Sequence, residues 1–210
     1  MYSLFFLRSY FPETPYIWAS GLPIGHLWSL NVEEHSYIIL SILTLIPLFS
    51  KRAYIPSFFM GCSCILLLHF YNNNPLLAPS HYYLRTETVA SFILISAAYS
   101  LLKHKFEKYI PSWTPIITLA LAAICYLKSS SNASWVLSPF LLAFTVNHLN
   151  LTPEIFKNLL SFTPLKLLGI WSFSIYLWQH YLTLLISIIL GLTSFYLIEN
   201  PSRKYLNSRW

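Results

Sequence analysis

The chain of 210 residues carries seven acidic side chains. All seven are glutamates, and two of them, Glu33 and Glu34, stand side by side where "GHLWSLNVEEHSY" runs into the uncharged "IILSILTLIPLF". If a helix begins near Ile24, after a proline that suits a helix start, then His26, Ser29, Glu33, Tyr37, Ser41 and Thr44 fall within about ±60° of one line at 100° per residue. Glu34 lies toward the edge of this polar stripe and His35 on the opposite face. A carboxylate facing a helix bundle in a membrane costs several kcal/mol unless it is paired or hydrated, so a stripe of this kind points to function. In dry surroundings its pKa rises and it can serve as a base or an acid. The competing account makes Glu33 and Glu34 interfacial carboxylates favoured by the helix dipole, with the hydroxyls bonded to their own backbone.

Other residues offer chemistry at wider spacing. Arg85 and Glu87, two residues apart at the mouth of an apolar run, suit a paired gate or a sugar contact, or a snorkelling pair at the interface. In "GIWSFSIYLWQH", Ser172, Tyr176 and Gln179 share a helical face, and Gly169 is expected to permit close helix approach; packing with an aromatic belt of Trp171 and Trp178 accounts for the same pattern. Lys103, Lys105 and Lys108 read as a topogenic signal ahead of a phosphate clamp. Glu199, Pro201 and Arg203 read as a helix stop with a juxtamembrane charge pair. Cys62, Cys64 and Cys125 lie inside apolar runs with neither a disulfide framework nor a zinc spacing, and no metal site is expected.

The elements that must position these residues follow from composition. Charged residues make up 10% of the chain and hydrophobic ones 56%, against roughly 25% charged in a soluble domain. The reading is an all-α, polytopic integral membrane helix bundle of about six to seven transmembrane helices. The net charge of +6 sits in short clusters between apolar runs, which argues against a nucleic-acid partner and for the lipid bilayer. Spans are expected at about 35–50, 54–72, 86–102, 112–127 and 135–149, followed by a long apolar stretch over 167–198. With Lys51 and Arg52 cytoplasmic, Lys103, Lys105, Lys108, Lys157 and Lys166 join them, while Arg8, Arg85 and Lys128 fall outside. Two short helices over 167–198 would add Arg203, Lys204 and Arg209 to the inner side, so charge favours a hairpin there. Length favours it less, since 32 residues give only about 48 Å of helix. The opening "MYSLFFLRSYFPETPY" reads as the outer end of a helix whose beginning is absent, with no cleavable secretory signal.

Four stretches, in order, resemble one family. "HLWSLNVEEHSY" is similar to the "WSLxVEExxY" signature of the acyltransferase 3 family, integral membrane enzymes that O-acylate sugars of surface polysaccharides and other extracytoplasmic or small-molecule acceptors. "YYLRTETVA" is similar to its Arg-x-acidic segment, "LLGIWSFSIYLWQH" to "LGxxSYSxYLWH", and "SFYLIENPSRK" to "SYxxIExPxR". The resemblance covers residues 1–204, a single membrane acyltransferase-like domain, and leaves 205–210 as a short cytoplasmic tail.

That resemblance implies transfer of an acyl group, acetyl first among the candidates, from acyl-CoA to a hydroxyl of a surface glycan or lipid-linked sugar. The setting it implies is a bacterial inner membrane, with no tightly bound cofactor. It casts Glu33 and Tyr37, one helical turn apart, as catalytic: Glu33 to orient or deprotonate an imidazole or bind the acceptor, Tyr37 to donate to the carbonyl oxygen. His26, Ser29, Glu34, Arg85, Glu87, Ser172, Tyr176, Gln179 and His180 are the candidate binding or structural residues. The departures are specific. The Arg and His that the family carries on its first helix have no counterpart, nor has its Arg-x-x-Arg motif, so the N-terminal helices are expected to be lacking. His35 stands where Gln is usual; Gln179 stands where His is frequent, with His180 one position on. His26 is more readily an interfacial side chain than a replacement imidazole. The expectation is therefore a member that is inactive as this stretch alone, with the missing helices supplied by a partner chain or an oligomer as one possibility. Two other readings compete: a catalytically inactive remnant, and a small membrane transporter with Glu33 in its pathway.

Overall fold

A computed structural model describes residue 10 and residues 27–46, 52–127, 132–179 and 184–208, with 132–134 and 184 described by backbone only. Among them there is no strand. The helices are α1 (Trp28–Leu45), α2 (Tyr54–Asn73), α3 (Thr86–Val89), α4 (Ser91–Leu102), α5 (Thr114–Leu127), α6 (Asn132–Asn147), α7 (Glu154–Leu160), α8 (Thr163–Trp178), α9 (Leu184–Ser194) and α10 (Asn200–Asn207). Contacts divide the chain into two units: Met1–Ile17 with Trp28–Glu154, and Trp18–Leu27 with Ile155–Trp210.

In the first unit α4 is the central helix. Ala90, Leu94 and Ala98 recur every fourth residue, with Ser91 and Ile95 beside them, and all are buried. α2 packs along this face through Ser57, Gly61, Cys64, Ile65 and Leu68, spaced three or four apart. Small residues let the two backbones approach, as in helix packing without a hydrophobic drive between lipid-bathed helices. At Gly61 a Cβ would lie 2.6 Å from Ile95 Cγ1 and 3.3 Å from the Ile95 backbone nitrogen. α6 lies on α4, and α5 lies on α6. Polar pairs tie these helices: Thr118 and Thr145 hydroxyls sit 2.8 Å apart, and Asn147 Nδ2 donates to Ser96 Oγ at 3.2 Å. α1 rests on α3 and α4.

In the second unit α8 and α9 pack against each other. Among the described residues of the stretch 167–198, α8 ends at Trp178 and a second helical run starts at Leu184 and continues through α10. The glycine that lets them meet is Gly191, where a Cβ would lie 2.8 Å from Ile175 Cα and 2.9 Å from its nitrogen. Gly169, expected to play this part, has nothing within 4 Å of its Cβ position. The expected helix stop at Glu199 is also corrected: a π-helical turn over Phe195–Glu199 leads directly into α10, with Pro201 in its first turn. Pro201 lacks the N–H that would continue the regular ladder, and the wider π-helical turn just before it is where that ladder changes.

Two helices are long and apolar enough to cross a membrane, Tyr54–Asn73 and Leu185–Asn207; α7 and α8, bent by 54° at their junction, make a third if counted as one span. Their apolar side chains are largely uncovered, as with Phe59 and Leu66 on α2. Of the sequence expectation of six to seven spans, this number is what length and composition support among the described residues.

Candidate functional site

The polar groups of the first unit converge where α1, α2 and α3 meet. Arg85 has an extended backbone (φ −90°, ψ 152°) and caps α3; Glu87 then falls in the first turn, where the helix dipole favours a carboxylate. The turn is locked by Thr88, whose hydroxyl reaches the Tyr82 carbonyl and lies 2.9 Å from that of Arg85. The segment before it is pinned to the end of α2 by the Tyr82 hydroxyl, which donates to Asn72 Oδ1 at 2.7 Å.

This arrangement gathers five side chains. The Tyr10 hydroxyl donates to Glu87 Oε2 at 2.5 Å, and Arg85 Nη1 lies 3.7 Å from Glu87 Oε1. The Arg85 guanidinium sits 5.1 Å from the Tyr10 ring centroid, within cation–π range. His35 Nδ1 and Thr86 Oγ1 are 2.8 Å apart, and the His35 and Tyr10 rings lie 6.0 Å apart. Burial, and then the hydrogen bond to Glu87, pushes the Tyr10 phenol above its ordinary value. The phenol therefore stays a donor over the physiological range.

These groups border an open cleft of about 680 Å³. Tyr10, His35, Thr86 and Glu87 supply its polar part, and Ile38, Ile39, Met60, Leu67 and Leu94 are among its apolar walls. An imidazole hydrogen-bonded to a hydroxyl, beside a carboxylate, a phenol and a guanidinium, can accept a proton, hold an anion and orient a hydroxyl. No cluster of three metal-ligating side chains occurs among the described residues.

The sequence-selected residues fall in four groups. Arg85 and Glu87 are paired, as the spacing suggested, and Glu87 lines the cleft. Glu33 and Tyr37 are on α1 but do not line it: Glu33 and Glu34 are half-buried, as is Ser29, and Tyr37 is 53% exposed. Farther along the stripe Ser41 and Thr44 are exposed, and Thr44 turns its hydroxyl back to the Ser41 carbonyl at 2.8 Å. The buried face of α1 carries Asn31, Val32, Ser36 and Leu43. His26 and His180 lie outside the described residues. In the second unit Ser172 is exposed and donates to the Gly169 carbonyl at 2.8 Å, Tyr176 is half-buried, and Gln179 is exposed at the end of α8.

Sequence reasoning missed three participants. His35 was placed opposite the stripe, and that opposition is what turns it into the cleft; its occurrence at the usual Gln position was the available signal. Tyr10 and Thr86 offered none beyond residue type. In the second unit Ser174, buried, donates to Glu199 Oε2 at 2.5 Å, while Arg203 Nη2 holds Glu199 Oε1 at 2.9 Å. The expected charge pair is therefore present, and it is anchored across 25 residues to α8.

Among the described residues, fold and site together define an all-helical chain with membrane-length helices and a cleft bordered by an imidazole, a carboxylate and a phenol. The chain is 27% identical over 205 residues to "Putative peptidoglycan O-acetyltransferase YrhL" of Bacillus subtilis (strain 168), covering 88% of this chain and 31% of that protein. It is 24% identical over 229 residues to "Putative O-acetyltransferase SACOL0978" of Staphylococcus aureus (strain COL), covering 88% of this chain and 37% of the relative. The chain thus spans about a third of the length of the curated relatives it matches. No protein-family model matches the chain, and no solved structure does.

Proposed function

We propose that this chain is the part of a multi-pass bacterial inner-membrane O-acyltransferase of the acyltransferase 3 type that holds the acceptor-activating cleft. The enzyme moves an acetyl group from acetyl-CoA to a hydroxyl of an extracytoplasmic glycan such as peptidoglycan. The single observation that carries this reading is the grouping of His35, Thr86 and Glu87 at one cleft, on two segments with family-like motifs, with Arg85 paired to Glu87 and Tyr10 bonded to it. Similarity over 88% of the chain to relatives named O-acetyltransferases supports it.

In the reaction the acceptor oxygen attacks the thioester carbonyl. A C–O bond forms, the C–S bond breaks, and the proton of the hydroxyl ends on the departing thiolate. His35 is suited to carry that proton, with Thr86 fixing its ring. Arg85 supplies positive charge for the oxyanion, while the Tyr10 hydroxyl, whose one proton goes to Glu87, holds that carboxylate in place beside Arg85. Glu33 and Tyr37 do not line this cleft; the catalytic part that the resemblance implies for them is tested separately through Glu33. In this reading about six to seven of the helices are transmembrane, with the short α5, α6, α8 and α9 crossing where the bilayer is thin or the helices are extended by interfacial aromatics.

The test places His35→Ala, Glu87→Gln and Glu33→Gln one at a time at the chromosomal locus, so that each protein is assayed as the cell makes it. Base-labile acetyl released from purified cell-wall glycan is the readout, with membrane abundance as control. Each variant is expected to lose tenfold or more of the acetyl at unchanged abundance, a typical size for a proton-transfer group. Full acetylation in His35→Ala and Glu87→Gln would remove this cleft from the reaction.

A further inference from the structure

A second cleft, of about 480 Å³, lies among α2, α4 and α6. Its walls are almost wholly apolar, with Phe58 and Phe59 on one side, Phe140 and Phe144 on another, and Tyr99 and Leu102 at the end formed by the last turns of α4. α2 and α4 pack along each other in this region. The start of α2 thus meets the end of α4: Tyr54 and Leu102 line the same cleft, with Arg52 two residues before the first and Lys103 one residue after the second.

Tyr99 has an unusual partner there. Its hydroxyl lies 2.8 Å from Nε2 of His148, a side chain of 0% exposure whose ring is tilted 52° against Phe144 with ring centroids 4.8 Å apart. The other ring nitrogen of His148, Nδ1, is buried with no hydrogen-bond partner. A neutral imidazole carries one proton. With the proton on Nδ1, a buried N–H donor is left unmet. With it on Nε2, only an acceptor lone pair is unmet, and His148 donates to the Tyr99 oxygen. The second arrangement spares the buried donor, and it leaves the proton of the phenol free for an acceptor in the cleft.

We infer that this cleft binds one acyl chain of an anionic phospholipid, with the ester carbonyl of that chain accepting from Tyr99 and the phosphate lying between Arg52 and Lys103. Three features select this occupant. α2 is one of the helices of membrane-crossing length, so its uncovered apolar side meets lipid. The basic pair at the cleft mouth complements an anionic headgroup and discriminates against a zwitterionic one. Tyr99 lies one helical turn, about 6 Å along the axis, from Lys103, the order in which ester and phosphate follow one another in a phospholipid. Positive-inside orientation puts this end of α2 and α4 on the cytoplasmic side, where anionic lipids meet juxtamembrane basic residues. The inference does not rest on the acyltransferase reading, only on residence in a bilayer.

Native mass spectrometry of the whole chain released from detergent tests it, with phosphatidylglycerol and phosphatidylcholine of identical acyl chains offered in competition. The expected result is one retained phosphatidylglycerol per chain. Retention should fall about tenfold in the surface double variant Arg52→Gln/Lys103→Gln and several-fold in Tyr99→Phe, which keeps the ring and removes the donor. Equal retention of both lipids, retention unchanged in both variants, or displacement of the lipid by an equimolar acyl-CoA would each overturn the inference. Because lipid retention is read without any acyl transfer, a failure here leaves the acetyl-release test of the first cleft independent.

Discussion

The contact between Tyr10 and Glu87 makes the most exacting test of the first cleft. Glu87→Gln keeps the shape of the side chain and an oxygen that can still accept from Tyr10, but it removes the charge. At 3.7 Å and an effective dielectric constant near 20, the gross attraction between Arg85 and Glu87 is about 4 kcal/mol. The side chains are 15% and 31% exposed, so desolvation and screening cut the net value to about 1–2 kcal/mol. The Tyr10 bond to a charged acceptor is worth about 1.5–3 kcal/mol, of which a neutral amide oxygen recovers roughly half. Glu87→Gln should thus cost about 2–3 kcal/mol in all. Tyr10→Phe keeps the ring under Arg85 and loses only the hydroxyl, so the double-mutant cycle isolates one hydrogen bond, with an expected coupling of about 1 kcal/mol. The assay is reversible unfolding in mixed micelles, following helix content as the denaturing detergent fraction rises. The pH dependence adds a second reading. A phenol raised in the folded state contributes stability that is full below its unfolded value of about 10 and is lost as pH rises through the folded value. Glu87→Gln lowers the folded value toward the unfolded one, so it should make that alkaline loss smaller and complete it at lower pH. A coupling below about 0.3 kcal/mol, with the alkaline limb unmoved, would refute the pairing and with it the placement of Tyr10 at the site.

Three further outcomes follow from the packing. Gly191→Ala and Gly169→Ala gain the same helix propensity, so their difference isolates the clash with the Ile175 backbone; Gly191→Ala should be the less stable by about 1–3 kcal/mol in the same unfolding assay. Ser174→Ala removes a buried donor from Glu199 and should cost about 1.5–3 kcal/mol, whereas Ser172→Ala, which removes an exposed hydroxyl, should be near neutral. Glu107 is held below the usual carboxylate range, first by the hydrogen bond from Asn150 Nδ2 at 3.0 Å and then by His104. Its contribution is therefore present above the unfolded value and lost as pH falls through the folded one, and Asn150→Ala should flatten the acid limb of stability.

The order of helices was readable from apolar run lengths: the expected 54–72 is Tyr54–Asn73, and 112–127 is Thr114–Leu127. The Arg85 and Glu87 pair and the Glu199 and Arg203 pair were legible because both lie within four residues, a distance at which local geometry decides contact. Longer contacts were not. Ser174 meets Glu199 across 25 residues, and His35 meets Thr86 across 51, where sequence spacing carries no geometric information.

The sequence by itself determined that the chain is helical and membrane-suited, since a 10% charge content and apolar runs of helical length leave few other ways to satisfy the backbone in lipid. It also determined that Glu33 and His35 point to opposite sides of one helix, because two residues at 100° each are nearly antipodal. Which side of α1 turns toward the first cleft was decided only in three dimensions. Small residues on α2 and α4 let those helices close together, Arg85 starts the next helix in an extended conformation, and the resulting turn brings Thr86 and Glu87 to His35. Gly191 rather than Gly169 brings α8 and α9 together for the same kind of reason: close approach is a property of what faces a glycine, and what faces it is fixed by tertiary packing.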